Sequence, residues 1–268
     1  MLQKSILFCF VISATVFAEQ KLVWEDNFDG GSIDRSKFTF ETGKGDNGCG
    51  NAELQHYTDR PQNARIEDGK LIIEARREDF EGSAFTSARI ITKGLMEFKY
   101  GTLEARIKLP SQSKGLWPAF WTLGANIGQV GWPNCGEIDI LETGSADAIA
   151  NNVVNNQVGG ATHWENNAMY NTVLKADFDL SADFHNYKLS WTDAVISVSL
   201  DDKEYFRMNI PTETFKKPHF VLFNLAVGGN YPNIHDPNQI DANFPAQMQI
   251  DYIKLFQNDG DELHLNGQ

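Results

Sequence analysis

The chain has 268 residues, 41% of them hydrophobic, and a formal net charge of −13 with the histidines neutral. This length and apolar content are sufficient for the core of one domain. The acidic balance argues against nucleic acid or an anionic membrane as a partner, because both carry negative charge themselves. A neutral polymer would be little affected by it.

Residues 1–18, MLQKSILFCFVISATVFA, have the pattern of an export signal. Lys4 provides a short basic start, residues 6–16 are mostly apolar, and Ala18 is a small residue at the cleavage position. The apolar run is too short to favour a membrane span. We therefore expect a secreted or periplasmic monomer with one domain over residues 19–257 and a frayed acidic tail over residues 258–268.

Short runs of alternating apolar and polar residues, separated by Gly, Asn and Asp, recur along the chain. Helical periodicity is nearly absent, so the pattern predicts an all-β fold, an antiparallel sandwich. The predicted strands include residues 70–76, 95–109, 119–124, 137–141, 185–191, 194–200, 219–227 and 247–256.

Cys49 and Cys135 would remain after removal of the signal segment. Export permits a disulfide between them, and two free thiols are the alternative. None of the six histidines shows HExxH or another metal-ligand spacing, which argues against a catalytic zinc site.

The segment GEIDILE, residues 136–142, reads as a buried strand with three carboxylates. Side chains alternate along a strand, so Glu137 and Asp139 share one face and the two isoleucines share the other. Glu142 lies five residues after Glu137 and would point into the core, where an unpaired charge is very unfavourable. A β-bulge near Leu141 would reverse its direction. We therefore predict that all three acids share one face.

The two glutamates would then have Cα atoms about 13 Å apart, four steps of about 3.3 Å. Side chains that lean together can bring their carboxyls to about 5–5.5 Å, as in retaining glycosidases, and the inverting gap of about 6.5–9.5 Å stays open. Asp139 adds negative charge, which raises the pKa of a protonated neighbour as a general acid requires. A solvated acidic face or a cation site is the alternative.

Three indoles lie close to these acids in the sequence. Trp117 and Trp121, in GLWPAFWTLG, have the same parity and would share one face of a strand. Trp132, in GWPNC, precedes the first acid by five residues. Aromatic faces that stack on sugar rings are one interpretation, and packing in the sandwich core is the other.

Five segments together resemble glycoside hydrolase family 16 of the laminarinase type: GLWPAFW, WPNCGEIDILE, TSARIITKG, KYGTLEARIKLP and FNLAVGGN. The resemblance implies a β-jelly-roll sandwich whose concave cleft hydrolyses internal bonds of β-1,3-glucan with retention, without a catalytic cofactor. By position, Glu137 resembles the nucleophile, Glu142 the acid/base and Asp139 the supporting carboxylate. In this family, the E-x-D-x-x-E spacing is the bulged version, found in laminarinases and also in agarases and carrageenases.

The resemblance also implies residues that bind the substrate. Asn51 in GNAELQHYT and Arg89 in TSAR match positions that contact sugar, and Trp121 and Trp132 match indoles that line the subsites before the cut. His163, in GGATHWEN, falls where many relatives have an acceptor-side histidine. A loop histidine without a special role is the alternative.

Relatives often hold a structural calcium, and the resemblance places it at Asn27, Gly69 and Asp251. Calcium takes six to eight oxygen ligands. The family's usual W-x-D-E-F reads WEDNF here, and Asn27 supplies one charge fewer, which should weaken the site. Cys49 stands where a bulky residue is common, which would open the cleft floor or allow the disulfide.

Two other functions stay open. One is hydrolysis of another polysaccharide, such as mixed-linkage β-glucan, agarose or carrageenan, although the negative charge disfavours a sulfated substrate. The other is a sandwich that binds glucan, or another sugar with calcium as legume lectins do, without cleaving it. The presence of both glutamates argues against binding alone.

Overall fold

The computed structural model describes residues 20–111 and 114–266. The signal segment predicted for residues 1–18 lies outside them. None of the helices in these residues combines the length and the apolar character needed to cross a bilayer.

The described strands form two sheets. The first sheet has ten strands, with the main order β16-β15-β14-β9-β18-β5-β6-β3, while β1 pairs with β18 and β4 with β5. Its strands are β1 (Lys21–Asp26), β3 (Gln55–Tyr57), β4 (Ala64–Glu67), β5 (Lys70–Phe80), β6 (Ser83–Ser87), β9 (Gly101–Lys108), β14 (His185–Trp191), β15 (Val195–Leu200), β16 (Lys203–Asn209) and β18 (Ala246–Gln257).

The second sheet has nine strands, with the main order β13-β12-β11-β10-β17-β7-β2, while β8 pairs with β17 and β19. Its strands are β2 (Thr39–Glu41), β7 (Arg89–Ile91), β8 (Met96–Lys99), β10 (Leu116–Gly124), β11 (Glu137–Glu142), β12 (Gln157–Trp164), β13 (Ala168–Lys175), β17 (His219–Val227) and β19 (Glu262–Leu265). Every pairing in the two sheets is antiparallel except that of β3 with β6.

Helical structure in the described residues is confined to short segments. They are α1 (Ile127–Val130), α2 (Ala146–Ala150), the 3₁₀ turns Glu165–Asn167, Glu213–Lys216 and Pro237–Gln239, and the irregular turn Gly48–Ala52.

The core lies between the two sheets. One continuous cluster joins aliphatic side chains of β18 and β9 in the first sheet to those of β11 and β17 in the second. Met248, Ile250 and Leu255 face Ile138 and its neighbours across this layer and are fully buried. The predicted antiparallel β-sandwich is therefore confirmed, because each sheet buries one face against the other.

The predicted strand over residues 95–109 is two strands that belong to different sheets. β8 pairs with β17 in the second sheet, and β9 pairs with β14 and β18 in the first. The chain crosses between them at Tyr100 and Gly101, whose φ angles are 67° and 112°. A Cβ at Gly101 would lie 2.5 Å from the carbonyl oxygen of Phe256, so only glycine fits there.

The expected fraying of the tail is wrong for residues 262–265. These residues form β19, which pairs with β8 from Glu262–Lys99 to Leu265–Met96. Leu263 and Leu265 pack against the core, and this contact holds the segment in place.

The predicted β-bulge is present in β11. Against β10, Leu141 pairs with Phe120 and Asp139 with Trp121, so Ile140 has no partner of its own. Against β12, three residue steps from Asp139 to Glu142 match two steps. Ile140 and Leu141 consequently both reach the core and are fully buried.

We predict that Leu141→Ala lowers the free energy of unfolding by about 2–5 kcal/mol, because it leaves a cavity beside the bulge that the sandwich cannot fill. Urea denaturation at neutral pH measures this change. Leu22→Ala, at a leucine that is 45% exposed, is the control and should change stability by less than about 0.5 kcal/mol. Equal losses in the two variants would contradict the packing described here.

Candidate active site

A cleft of about 580 Å³ crosses the face of the second sheet that points away from the core. The turn Gly48–Ala52, strands β10, β11 and β12 and the segment after β17 provide its walls. All nine residues predicted for catalysis or substrate binding line this one cleft: Asn51, Arg89, Trp117, Trp121, Trp132, Glu137, Asp139, Glu142 and His163.

The carboxylates lie on the cleft side of β11 because of the bulge. Glu137 and Asp139 alternate with buried Ile138, and the extra residue returns Glu142 to the same face. Without that residue, Glu142 would point into the layer of aliphatic side chains between the sheets. The prediction from strand parity, that all three acids share one face, is therefore confirmed.

Two indoles donate hydrogen bonds to the two glutamates. Nε1 of Trp117 donates to Oε1 of Glu142 at 2.9 Å, and Nε1 of Trp132 donates to Oε2 of Glu137 at 2.8 Å. The Trp117 ring is nearly buried and stacks on Tyr231 with 5.0 Å between the ring centroids. Trp132 is 54% exposed, so much of its ring remains free to contact a ligand. Each glutamate thus has its own donor and a fixed orientation.

A third indole is held by polar neighbours deeper along β10. Nε1 of Trp121 donates to Oδ1 of Asn224 on β17 at 2.7 Å. The Arg89 guanidinium lies 4.7 Å from the centroid of the Trp121 ring, and its Nε is 2.9 Å from Oε2 of Glu41. Arg89 is therefore positioned beside the acids as the nearby positive charge of the cleft.

His163 lies on β12 directly across from Glu137. Its Nε2 is 3.6 Å from Oδ2 of Asp139 and 4.0 Å from Oε1 of Glu137, and its ring centroid is 5.8 Å from that of Trp132. Burial lowers the pKa of His163, so the ring is neutral at neutral pH and these contacts are not ion pairs.

Burial raises the pKa of both glutamates, to different values. For Glu137 the pKa reaches about 7, because the Trp132 hydrogen bond and the Arg89 charge partly oppose the effect of burial. For Glu142 it reaches about 8, because burial raises it, the Trp117 hydrogen bond lowers it, and the charges of Glu137 and Glu53 raise it further. The neighbours of Glu137 therefore favour its charged form more than the neighbours of Glu142 do.

Asp139 differs from its predicted electrostatic role. It is 3% exposed, and burial raises its pKa well above the usual range, with the charges of Glu137 and Glu142 adding to this effect. The raised pKa favours the neutral carboxyl, which opposes the role predicted from the sequence, in which the negative charge of Asp139 raises the pKa of a neighbour. The neutral carboxyl can instead donate a hydrogen bond to Glu137, which lowers the pKa of Glu137.

Several cleft residues were not found from the sequence. Glu53 is a fourth carboxylate of the cleft; it is buried and accepts from Nε2 of Gln55 and from the Tyr57 hydroxyl at 3.0 Å. Asn224 could have been found from the sequence, because it is a lone amide within the apolar strand FVLFNLAV. The loop residues of the cleft have no such distinguishing pattern. The other missed polar, aromatic and thioether residues are Met169, Asn171, Asn230 and Tyr231.

Both cysteines are free thiols. Cys135 is buried, and Cys49 lines the cleft in the turn that carries Asn51. Burial raises the pKa of Cys49 to about 11, so its thiol is protonated at neutral pH. Of the two alternatives left open by the sequence, the structure shows free thiols.

The residues predicted for calcium lie away from this cleft. Asn27 lines a separate pocket of about 350 Å³ with Glu25, Asp26 and Asp29. Asp251 is on β18 of the other sheet, where its Oδ2 is 2.6 Å from Nη1 of Arg106. The pocket is rich in oxygen atoms, but a calcium ligand at Asp251 would have to compete with that guanidinium.

The fold and the site together define a β-sandwich hydrolase with a carboxylate-lined cleft. A family model described as "Glycosyl hydrolases family 16" matches residues 51–254. The chain therefore belongs to glycosyl hydrolases family 16, and the predicted family is confirmed.

Three similar proteins illustrate this membership. The chain is 37% identical to the glucan endo-1,3-beta-glucosidase of Cryptopygus antarcticus, over 87% of this chain and 90% of that protein. It is 37% identical to the clotting factor G alpha subunit of Tachypleus tridentatus over 88% of this chain, but it spans only 34% of that protein. The crystal structure of the laminarinase catalytic domain of Thermotoga maritima matches with a TM-score of 0.78 and 37% identity, covering 90% and 99% of the two chains.

We predict that Trp132→Phe raises the pKa of Glu137 by about one pH unit, because the carboxylate loses a hydrogen bond that favours its charged form. Carbon-13 NMR titration of labelled glutamate carboxyls measures this directly. Trp121→Phe is the control, since its indole donates to Asn224 and to no carboxylate. The same Glu137 pKa in both variants would contradict the role given to the Trp132 donor.

Proposed function

We propose that this protein is a retaining endo-1,3-β-glucanase that hydrolyses internal bonds of laminarin-type glucans. The observation that carries this proposal is the pair of glutamates that the bulge brings to one face of the cleft, each with its own indole donor. Family membership and the 37% identity to an endo-1,3-β-glucosidase support the substrate class.

In the first step, protonated Glu142 donates its proton to the glycosidic oxygen while ionised Glu137 attacks the anomeric carbon. The neighbours of the two glutamates support this assignment, because the Arg89 charge favours the charged form of Glu137, whereas the charges of Glu137 and Glu53 favour the protonated form of Glu142. The Trp132 indole and neutral Asp139 stabilise the negative charge of Glu137 by hydrogen bonding.

In the second step, water cleaves the glycosyl–Glu137 ester. Esterified Glu137 carries no charge, and its charge is one of the causes that raise the pKa of Glu142. The pKa of Glu142 therefore falls in the intermediate, and its carboxylate can accept a proton from the attacking water. One residue serves as acid and then as base because its neighbour changes charge.

The walls of the cleft suit a neutral sugar chain. Exposed Trp132 and half-buried Trp121 offer aromatic faces on which pyranose rings can stack, and Asn51, Asn224 and Asn230 offer amide groups to hydroxyls. His163, beside Glu137, is close enough to the acids to contact a sugar in the reacting subsites. The family also contains other glycanases, so the substrate panel must distinguish the β-1,3 linkage from the others.

Export and a monomeric state are further parts of the proposal. The pattern of residues 1–18 supports a secreted or periplasmic location, where a polymeric substrate is accessible. No step of the mechanism uses a metal ion. The structural calcium at Asn27, Gly69 and Asp251 stays a prediction, and Arg106 at Asp251 argues for weak binding there.

Incubation with laminarin, lichenan, agarose and carboxymethylcellulose tests the substrate and the stereochemistry together, with proton NMR of the first products. We expect cleavage of laminarin with the β-anomer formed first, because double displacement retains configuration. First appearance of the α-anomer would contradict the role of Glu137 as nucleophile. Glu137→Gln is the control and should bind laminarin in an affinity gel without releasing reducing ends.

Glu142→Gln should slow hydrolysis of laminarin by about 10²–10⁴-fold, because the leaving oxygen loses its proton donor. The first step on an aryl β-glucoside with an acidic phenol should slow much less, since that leaving group needs little protonation. Steady-state and burst kinetics measure both effects. Glu53→Gln, the matched change at another buried cleft glutamate, should show no such dependence on the leaving group. An equal loss on all substrates in Glu142→Gln would contradict its role as the acid.

A further inference from the structure

Three side chains in the cleft bring ligand atoms unusually close together. Nε2 of His163 lies 3.6 Å from Oδ2 of Asp139 and 4.0 Å from Oε1 of Glu137, and one possible ligand atom from each of the three residues lies within 4.8 Å of the other two. Across residues 20–111 and 114–266, this is the one group of three or more His, Cys, Asp or Glu side chains that meets this distance.

The oxygen of Asp139 points to a ligand independently of that clustering. Asp139 is 3% exposed, and its Oδ2 has no hydrogen-bond partner among the described residues. A buried polar atom without a partner is unfavourable, and native structures rarely leave one unless something else satisfies it. Its nearest possible co-ligand is Nε2 of His163 at 3.6 Å.

The other two atoms are oriented towards the same point. The Trp132 indole engages Oε2 of Glu137, so the second oxygen, Oε1, is left to face His163 at 4.0 Å. Imidazole is a common metal ligand through either ring nitrogen, and Nε2 of His163 is the atom that faces both acids. One imidazole nitrogen and two carboxyl oxygens therefore lie around a small volume next to the cleft, and an ion bound there would release the proton of Asp139.

We propose that these three residues bind a divalent transition cation, Zn²⁺ in particular, as an inhibitory ion. Zinc takes His nitrogen and carboxylate oxygen at about 2.0–2.2 Å, so two ligands on a tetrahedral ion lie about 3.4 Å apart. The distances of 3.6 and 4.0 Å need only small side-chain rotations to reach that value. A fourth position open to the cleft is available for water.

The chemistry of the donors sets the selectivity. Imidazole suits zinc and copper, whereas magnesium and calcium prefer oxygen donors and more of them. Cys49 lines the same cleft, but its thiol is protonated at neutral pH and it is not one of the three grouped side chains. An ion held by Glu137 occupies the proposed nucleophile and should exclude the glucan chain. Inhibition of glucan hydrolysis by zinc therefore rests on the proposed function, whereas binding of zinc does not.

Isothermal titration of the substrate-free protein with zinc chloride tests binding without reference to activity. We expect one ion per chain, no measurable heat with magnesium chloride, and at least about tenfold weaker zinc binding in His163→Ala and His163→Gln. His264→Ala, at an exposed histidine, and Cys49→Ser are the controls and should bind as the wild type does. Thermal unfolding checks that each variant is folded.

Competition tests the location without any variant. At low temperature, a non-hydrolysed laminari-oligosaccharide should weaken zinc binding to the wild-type protein, and this loss should increase with the oligosaccharide concentration. Zinc should likewise raise the apparent KM for laminarin and leave kcat unchanged. Zinc affinity unchanged by both His163 variants, or lost in Cys49→Ser or His264→Ala, would overturn the proposal. If the protein binds zinc as expected but cleaves no glucan, the metal site stands and the proposed function fails.

Discussion

The cost of placing a carboxylate in a dry core governs this structure. β11 lies in the middle of the second sheet and must turn its aliphatic side chains towards the first sheet. A regular strand of this sequence would bury Glu142 with them, and the unpaired charge would be very unfavourable. The bulge at Ile140 and Leu141 resolves the conflict with one extra residue. The same residue places a second glutamate over the cleft, so the requirement of the core and the requirement of the site are met by one local feature.

Burial in the lining of the cleft raises the pKa of all three acids, and their neighbours make the effect different for each acid. The pKa of each acid is raised first by loss of water. Glu137 receives the Trp132 hydrogen bond and the field of Arg89, whereas Glu142 feels the negative charges of Glu137 and Glu53. The difference between the two glutamates thus comes from side chains on β7, β10 and the loops around β11, together with the charge of Glu137 beside Glu142.

Features that depend on strand parity and local pattern could be predicted from the sequence. Features that depend on contacts between distant segments could not. The sandwich, the bulge and the common face of Trp117 and Trp121 follow from alternation of side chains, and the structure confirms them. The break at Tyr100 was missed because the alternation continues through it while the chain changes sheets. Strand β19 was missed because an acidic segment reads as solvated until its pairing with β8 is known. Glu53 and Tyr231 reach the cleft through tertiary packing alone, and Asp251 has a partner, Arg106, that lies 145 positions away in the chain.

The proposed catalysis and the proposed cation binding depend on the same feature of this cleft, a carboxyl oxygen without a strong partner. A glycosidase nucleophile must keep one oxygen free of strong partners, because an atom that is already satisfied attacks poorly. Here the indole of Trp132 holds one oxygen of Glu137 and leaves the other near a neutral imidazole and an unpartnered carboxyl oxygen. Those are also the conditions under which a small divalent ion is bound well. A stronger hydrogen-bond network around Asp139 would exclude the ion, but it would also fix the proton that Asp139 shares with Glu137. The proposed binding of zinc would then be a consequence of keeping the proposed nucleophile, Glu137, reactive.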